Sequence, residues 1–200
     1  SSAGINQKDL SAVVFYEDPI IKLDRICESH IKHSKSFYKS FKKICTWMES
    51  KLDVGRMFYS EYLPHYPGKI YFSQHHRSHA AAAFYPSPFE EATILVIDGI
   101  GEWSSVTIGK GSDNNIDLLK EQRFPNSIGL LYSAITQYLG FKVNSGEYKV
   151  MGLAPYGENK YITDIYDNLV SIAEDGSLEL NTDYFDFMAG DQMINNSFQK

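Results

Sequence analysis

Three short apolar runs, separated by turns that contain glycine, constrain the fold of this chain more than any other feature. They span residues 92–98, 104–109 and 115–124. Runs of this length that are rich in β-branched residues and bounded by glycine are typical of strands, and short turns join neighbouring strands in antiparallel fashion. The sequence therefore predicts a three-stranded antiparallel meander in the middle of the chain.

Single strands and helices are predicted on both sides of this meander. Before it, the apolar pattern predicts a strand over 11–16, one long or two shorter helices over 20–52 with a break near Ser34, a strand over 69–73 and a helix over 76–85. After it, we expect a helix from the capping Ser127 to 139, a short helix within 148–153, an amphipathic helix over 159–173 and a strand over 178–180.

This order of elements predicts an α/β fold. A meander flanked by helices is the ribonuclease-H-like arrangement of the actin–hexokinase superfamily, in which helices flank a mixed sheet. Element order by itself is weak support for one fold family, since many folds share such an order.

Charge and composition argue against several classes of partner. The formal charge of −6 disfavours a general nucleic-acid binder, which would usually be basic. Residues 22–51 hold eight Lys or Arg and three Asp or Glu, a local charge of +5 that leaves −11 for the rest. The lysines of this segment step by three and four and share one helix face, which is either a solvated face or a docking surface for a phosphorylated ligand or a partner domain.

The predicted location is the cytoplasm. No apolar run reaches the about 18 residues of a membrane span, and the first ten residues lack the pattern of a signal peptide. The two cysteines, Cys27 and Cys45, form no C-x-x-C pair and no disulfide framework, so we expect reduced thiols. The chain also lacks an initiator methionine, and we interpret it as processed or as part of a longer protein.

Three of the six histidines fall within five residues, at His75, His76 and His79. His75 and His79 lie four apart, so one helical turn places both imidazoles on the same face, where they can share a divalent metal. His76 points elsewhere. Asp98 ends the next apolar run, and a carboxylate there is costly unless it is paired or bound to a metal. The alternative is a helix N-terminus that merely contains histidines.

The turn after Asp98 is a candidate phosphate site. Gly99 and Gly101 allow tight turns, and their N–H groups can approach phosphate oxygens, so we assign Gly99, Gly101 and Glu102 as candidate cofactor-binding residues. The alternative is a plain hairpin turn whose amides bond Asp98. Farther along, Glu147 and Lys149 lie between glycines in the segment 145–157, where they could contact ribose or phosphate or could belong to an ordinary surface connection.

Three blocks of the sequence resemble, in this order, the core motifs of the O-carbamoyltransferases, enzymes that decorate nodulation factors and aminoglycoside or cephem antibiotics. The blocks are QHHRSHAAAAFYPSPFEEATILVIDGIGEW (74–103), SIGLLYSAITQYLGF (127–141) and GEYKVMGLAPYG (146–157). The resemblance runs from about Gly4 to Asp186. It identifies the chain as one partial carbamoyl-transferring domain over 1–200, with a long helical insertion at about 20–52, a metal and phosphate core at about 69–157, and a C-terminal helix and strand at 159–186.

The resemblance implies a chemistry and a set of ligands. In this family a second domain makes carbamoyl adenylate from carbamoyl phosphate and ATP, and the domain seen here transfers the carbamoyl group to a hydroxyl of a small-molecule acceptor. A metal, reported as iron, is held by two histidines four apart and by aspartates, which map onto His75, His79 and Asp98 as metal ligands and catalytic residues. The implied partners are carbamoyl phosphate, ATP and a hydroxylated acceptor, with no membrane and no nucleic acid.

Parts of the family pattern are missing from these 200 residues. They are the first strand with its H-D-x-S-type segment, the second half of the domain with a further metal aspartate, and the adenylate-forming domain. We therefore expect the isolated chain to be inactive, to leave sheet edges and apolar surface uncovered, and to be marginally stable or a homodimer. The alternatives are the related enzyme that makes threonylcarbamoyladenosine in transfer RNA, a sugar or acetate kinase of the superfamily, and a non-catalytic nucleotide-binding scaffold.

Overall fold

The structure, a computed structural model, describes residues 4–199; residues 1–3 and 200, which the predicted domain includes, lie outside this range. The strands are β1 Val13–Phe15, β2 Ile70–Phe72, β3 Glu91–Gly101, β4 Ser104–Ser112, β5 Asn115–Arg123, β6 Val170–Ile172 and β7 Leu178–Leu180. The α-helices are α1 Pro19–His33, α2 Phe37–Trp47, α3 Val54–Met57, α4 His75–Phe84, α5 Ile128–Tyr138, α6 Glu147–Leu153 and α7 Ile162–Asn168.

Three sheets organise these strands. The predicted meander is confirmed, since β3, β4 and β5 pair in sequence order and antiparallel. The short strands β1 and β2 pair in parallel, and β6 and β7 form a hairpin. The α/β class is therefore confirmed. Within the described residues the strands form three separate sheets rather than one mixed sheet, so the ribonuclease-H-like assignment stays a prediction.

Helix α4 packs on one side of the meander through small and aromatic residues. Ala80 has no exposed surface, and Phe84 packs with Ile94 and Val96 of β3. Gly111 of β4 makes room for the Phe84 ring, because a Cβ at that position would lie 2.7 Å from ring carbons. The small alanine side chains thus let α4 pack closely on the sheet. This close packing brings the histidines at the N-terminus of α4 near β3.

A second hydrophobic cluster joins α5 to the C-terminal part of the chain. Its buried members are Phe124, Leu131, Ala134, Val170, Leu180, Phe185, Met188 and Ile194. Ser127 caps α5 as predicted, because its hydroxyl accepts a hydrogen bond from the Leu130 N–H, and Gly140 follows the helix with φ +83°. This cluster holds the N-terminal end of α5 against the end of β3.

The N-terminal helices confirm the predicted break near Ser34. Asp18 caps α1 by accepting from the N–H groups of Ile20 and Ile21, Ser34 ends α1, and Ser36 caps α2. A single turn of π-helix over Met48–Leu52 follows α2. None of the helices in the described range is long and apolar enough to cross a membrane.

The predicted helix over 159–173 is wrong in its second half. Helix α7 ends at Asn168, and Val170–Ile172 forms β6, which turns back into β7. The reason is local: β-branched residues alternate there, and Gly176, with φ +82°, supplies the tight turn that a hairpin needs. The helical spacing of the apolar residues misled the prediction, because short apolar runs fit both periods.

The opposite side of the meander is exposed. Leu95 of β3 and Ile108 of β4 are cross-strand partners with 58% and 41% of their surface exposed, and Ile97 is equally open at 58%. β3 pairs only with β4 in the described part of the chain. The apolar surface that we expected to be uncovered is thus present on this face.

Candidate metal centre

The structure brings His75, His79 and Asp98 together at one point. His75 Nε2 lies 3.1 Å from Asp98 Oδ2 and 3.0 Å from His79 Nε2. His79 Nε2 lies 4.0 Å from the same carboxylate oxygen. The helical spacing provides the two imidazoles, and the packing of α4 on the meander aims them at the carboxylate of β3.

The geometry of this cluster fits a divalent metal ion. An ion about 2.0–2.2 Å from each nitrogen or oxygen ligand keeps the ligand atoms about 3–3.5 Å apart, close to the separations seen here. All three ligand atoms lie within 4.8 Å of one another. His75 is mostly enclosed, whereas the His79 side chain is 53% exposed, so a ligand could approach from the His79 side.

Asp98 is held in its charged form. The hydrogen bond from the His75 ring lowers the pKa of Asp98, and the Gly99 N–H, 2.7 Å from Asp98 Oδ1, also lowers it against the opposing effect of burial. A carboxylate that is ionised and half-buried is a good ligand for a hard or borderline cation. Its second oxygen, Oδ2, is the one that faces both histidines.

His76 diverges from the cluster, as expected for its place on the helix. Its Nδ1 lies 2.7 Å from the Thr107 hydroxyl, and both residues are buried. Burial lowers the pKa of His76, so the ring is neutral at pH 7. The pair links α4 to β4, and His76 therefore anchors the helix that carries the candidate ligands.

The structure places the buried side chain of Glu102 next to the backbone of His75. Glu102 Oε1 accepts hydrogen bonds from the backbone N–H of Asp18, at 2.5 Å, and of His75, at 3.2 Å. Burial raises the pKa of Glu102, although these two hydrogen bonds act in the opposite sense. One carboxylate thereby joins the N-terminal ends of α1 and α4. The cofactor-binding role of Glu102 stays a prediction.

Gly99 and Gly101 contact the residues of the candidate metal centre. The Gly99 N–H is engaged by Asp98, and a Cβ on Gly101 would lie 2.7 Å from His75 Cγ and 2.9 Å from His76 Cδ2. A larger residue at position 101 would clash, because the two imidazole rings occupy the space that its Cβ would need. The predicted turn over these residues is wrong, because β3 continues to Gly101 with an irregular register after Ile97 and the chain turns at residues 102–103. The proposed phosphate contact of residues 99–101 stays a prediction.

Glu147 lies beside the cluster and Lys149 lies away from it. Asp98 and Glu147 line one cleft of about 540 Å³ between β3, α5 and α6. The Glu147 carboxylate accepts from Asn144 N at 2.8 Å, from Gly146 N at 3.1 Å and from Ser133 Oγ at 3.0 Å. Burial pushes the pKa of Glu147 up, but these hydrogen bonds outweigh it and the pKa is lowered. Lys149 is exposed, near the rings of Phe141 and Tyr148, and does not line this cleft.

Glu17 is a site residue that the sequence analysis missed. It follows β1, and its Oε2 lies 3.7 Å from His75 Nδ1 and 2.7 Å from Lys22 Nζ. No local sequence pattern identifies it. Its position follows from the parallel pairing of β1 with β2, because the C-terminal ends of parallel strands meet at the same edge of a sheet. Residues 17–18 and 74–75 follow these two strands and hence become neighbours.

Ser127 and Gly129 are further contributors that the motifs did not identify. The buried Ser127 hydroxyl donates to the Gly99 carbonyl at 2.6 Å. A Cβ on Gly129 would lie 2.6 Å from the Asp98 carbonyl oxygen. Helix α5 can therefore pack directly against the end of β3 and fix the backbone that carries Asp98.

Comparison with known proteins places the chain in a family. The chain matches the family described as Carbamoyltransferase N-terminus over residues 1–200. An uncharacterized protein of Synechocystis sp. is 42% identical over 208 residues, covering 98% of this chain and 33% of that protein. Nodulation protein NolNO of Sinorhizobium fredii is 38% identical over 117 residues, covering 58% of this chain and 17% of that protein.

A second nodulation protein is also similar to part of the chain. Nodulation protein NolO of Bradyrhizobium diazoefficiens is 36% identical over 109 residues, covering 54% of this chain and 20% of that protein. The chain thus spans a third or less of each of these relatives. The match over its whole length confirms the resemblance of the three motifs: the chain belongs to the carbamoyltransferase family and corresponds to the N-terminal region of its members.

Proposed function

We propose that the intact protein is an O-carbamoyltransferase and that the described region carries its transfer site. The observation that supports this most is the convergence of His75, His79 and Asp98 in a chain of this family. The proposed reaction uses carbamoyl phosphate, water and ATP to form carbamoyl adenylate, with release of phosphate and pyrophosphate. The carbamoyl group then passes to a hydroxyl of a sugar or secondary metabolite.

The transfer step is an acyl substitution. The acceptor oxygen forms a bond to the carbamoyl carbon, and the bond from that carbon to the phosphate oxygen breaks. AMP leaves with the electron pair of that bond, and the hydroxyl proton of the acceptor passes to solvent water. His75 Nε2, His79 Nε2 and Asp98 Oδ2 would hold a divalent metal, iron by the resemblance, which when bound would polarise the carbamoyl carbonyl as a Lewis acid.

The residues of the chain position the reactants. Asp98 is fixed from one side by the Gly99 N–H and from the other by α5, through Ser127 and Gly129. The cleft that Asp98 shares with Glu147 has a volume typical of small-molecule sites, and we assign it to the adenylate. The acceptor then approaches from the exposed His79 side. Holding both reactants in one orientation lowers the barrier by saving the entropy of bringing them together.

The experiment separates adenylate formation from transfer in the intact protein. His79→Ala and Asp98→Asn should lower carbamoyl transfer by about 100-fold or more, as expected when a metal ligand is lost. Carbamoyl-phosphate-dependent exchange of pyrophosphate into ATP should persist, because the resemblance assigns that step to another domain. The matched control is His33→Ala, which removes an exposed histidine from the end of α1.

Two outcomes would contradict the proposal. Full transfer activity in both cluster variants would remove the role of the cluster. Absence of carbamoyl-phosphate-dependent exchange and of transfer in the wild-type protein, with nucleotide still bound, would instead favour a non-catalytic nucleotide-binding protein.

A further inference from the structure

The two nitrogens of His75 have different surroundings. Nε2 faces His79 and Asp98. Nδ1 is buried and has no hydrogen-bond partner within the described residues. A buried ring nitrogen without a partner is unfavourable, so its surroundings should contain a group that can satisfy it.

The carboxylate of Glu17 is a candidate for this group. Glu17 Oε2 lies 3.7 Å from His75 Nδ1, slightly beyond hydrogen-bond distance. Both side chains are largely enclosed, with 13% of Glu17 and 16% of His75 exposed. Lys22 holds the same oxygen at 2.7 Å, so the carboxylate is fixed in place rather than free to leave.

Metal binding through Nε2 sets the position of the ring proton. A neutral imidazole that donates the lone pair of Nε2 to a metal carries its hydrogen on Nδ1. The His79 side chain is half exposed, so water can accept a hydrogen bond from its Nδ1–H. His75 is enclosed and requires an acceptor from the protein.

We propose that Glu17 is a positioning residue for the candidate metal centre, and this rests on the proposed function. Its carboxylate accepts a hydrogen bond from His75 Nδ1–H, fixes the ring orientation and directs Nε2 toward the ion. A ring movement of about 0.5–1 Å closes the gap to ordinary hydrogen-bond length. Glu102 accepts a hydrogen bond from the backbone N–H of His75. Glu102 thus fixes the main chain of His75, and Glu17 fixes its ring.

The test measures zinc affinity of the intact protein by competition with a chelator. Glu17→Ala should weaken binding by about 10- to 100-fold, the usual effect of losing the partner of a ligating histidine. Glu17→Gln should lose less, because the amide oxygen can still accept from Nδ1–H. The matched control is Glu28→Ala, which removes a partly exposed glutamate of α1 that pairs only with Lys32 among the described residues.

A second readout distinguishes positioning from general support of the fold. In zinc-bound wild-type protein with labelled histidine, the Nδ1–H proton of His75 should give a downfield resonance that is protected from solvent exchange. Glu17→Ala should lose this protection, and thermal unfolding of the metal-free variants should establish that they are folded. Lys22→Met removes the ion pair but keeps the carboxylate, so it should weaken zinc binding less than Glu17→Ala does and should keep the protected resonance.

The outcomes separate the two proposals. If the wild type binds zinc, His79→Ala abolishes binding and Glu17→Ala equals the wild type, the inference about Glu17 is overturned while the metal centre stands. Equal losses in Glu17→Ala and Glu28→Ala would also overturn it. A wild type that binds no zinc would remove both the metal centre and the role of Glu17, whereas carbamoyl transfer is assayed independently.

Discussion

Helices α4 and α2 have nearly the same length and very different environments. Helix α4 buries His76, Ala80 and Phe84 against the meander. Helix α2 buries only Ser40 within the described chain, and its Phe37 and Phe41 rings stack on each other with 86% and 57% of their surface exposed. The more aromatic helix is therefore the less buried one.

The difference teaches that the packing surface, rather than apolar content, determines which helix holds a site. Helix α4 has small residues and a polar anchor that fit a three-stranded sheet, so its N-terminal histidines are fixed relative to Asp98. Helix α2 contacts α1 and the C-terminal segment at few points, such as Lys43 with Asp191 at 2.6 Å. The comparison predicts that equal changes in the two helices have unequal effects.

The largest contrast is expected from removing one phenylalanine from each helix. Phe84→Ala should lower the free energy of unfolding by about 3–5 kcal/mol, because it empties a filled site in the core. Phe37→Ala should change it by about 0.5 kcal/mol or less, because the ring is exposed. Denaturant unfolding of both variants measures the difference, and equal losses would mean that α2 is covered in the intact protein.

A smaller effect is expected from adding side chains to two glycines. Gly101→Val should cost about 1–3 kcal/mol and weaken zinc binding, because its side chain would occupy the space of the His75 and His76 rings. Gly152→Ala in α6 meets nothing within 4 Å and should stabilise the protein by up to about 1 kcal/mol. Denaturant unfolding measures the stability of both variants, and zinc titration measures the affinity of Gly101→Val. Undiminished zinc affinity in Gly101→Val would show that the rings can move aside.

The smallest expected effect is a pH dependence of α4 anchoring. Burial lowers the pKa of His76 from its ordinary 6.5, so below pH 6.5 the unfolded chain takes up a proton that the folded chain does not. The stability contributed by the neutral ring is full above this pH and falls as pH decreases toward the folded pKa, with a slope of at most about 1.4 kcal/mol per pH unit.

Unfolding of metal-free protein between pH 7 and 5 measures this slope. His76→Gln should reduce it, and His33→Gln at the exposed C-terminal end of α1 controls for the loss of a histidine as such. A slope that is the same in the wild type and His76→Gln would show that this ring is not held neutral, and would weaken the contrast between the two helices.

Local spacing predicted the parts of the site that depend on one segment. The four-residue step from His75 to His79 and the position of Asp98 at the end of an apolar run led us to expect that these three side chains cluster, which the structure confirms. The meander and the break at Ser34 followed from local patterns in the same way. The hairpin at 170–180 was missed because short apolar runs satisfy both helical and strand periods.

The remaining contributors depend on contacts between distant segments. Glu17 reaches His75 only because β1 pairs with β2, and no local pattern contains that pairing. Glu102 lies in the turn after β3 with a φ of 57°, and its carboxylate accepts hydrogen bonds from the first N–H groups of two helices that are distant in sequence. Sequence spacing reports neighbours along one element, whereas these residues meet through tertiary packing.

The parallel pairing of β1 with β2 also bears on how this family could diversify. The long segment between Phe15 and Ile70 connects two strands that pair with each other. The pairing fixes both ends of this connecting segment, whatever its length and content. The entropy of closing a loop grows only slowly with its length. Insertions or deletions within the helices of this connecting segment should therefore leave the spacing of Glu17 and His75 intact, and this segment is free to vary in size while the chemistry beside it stays constant.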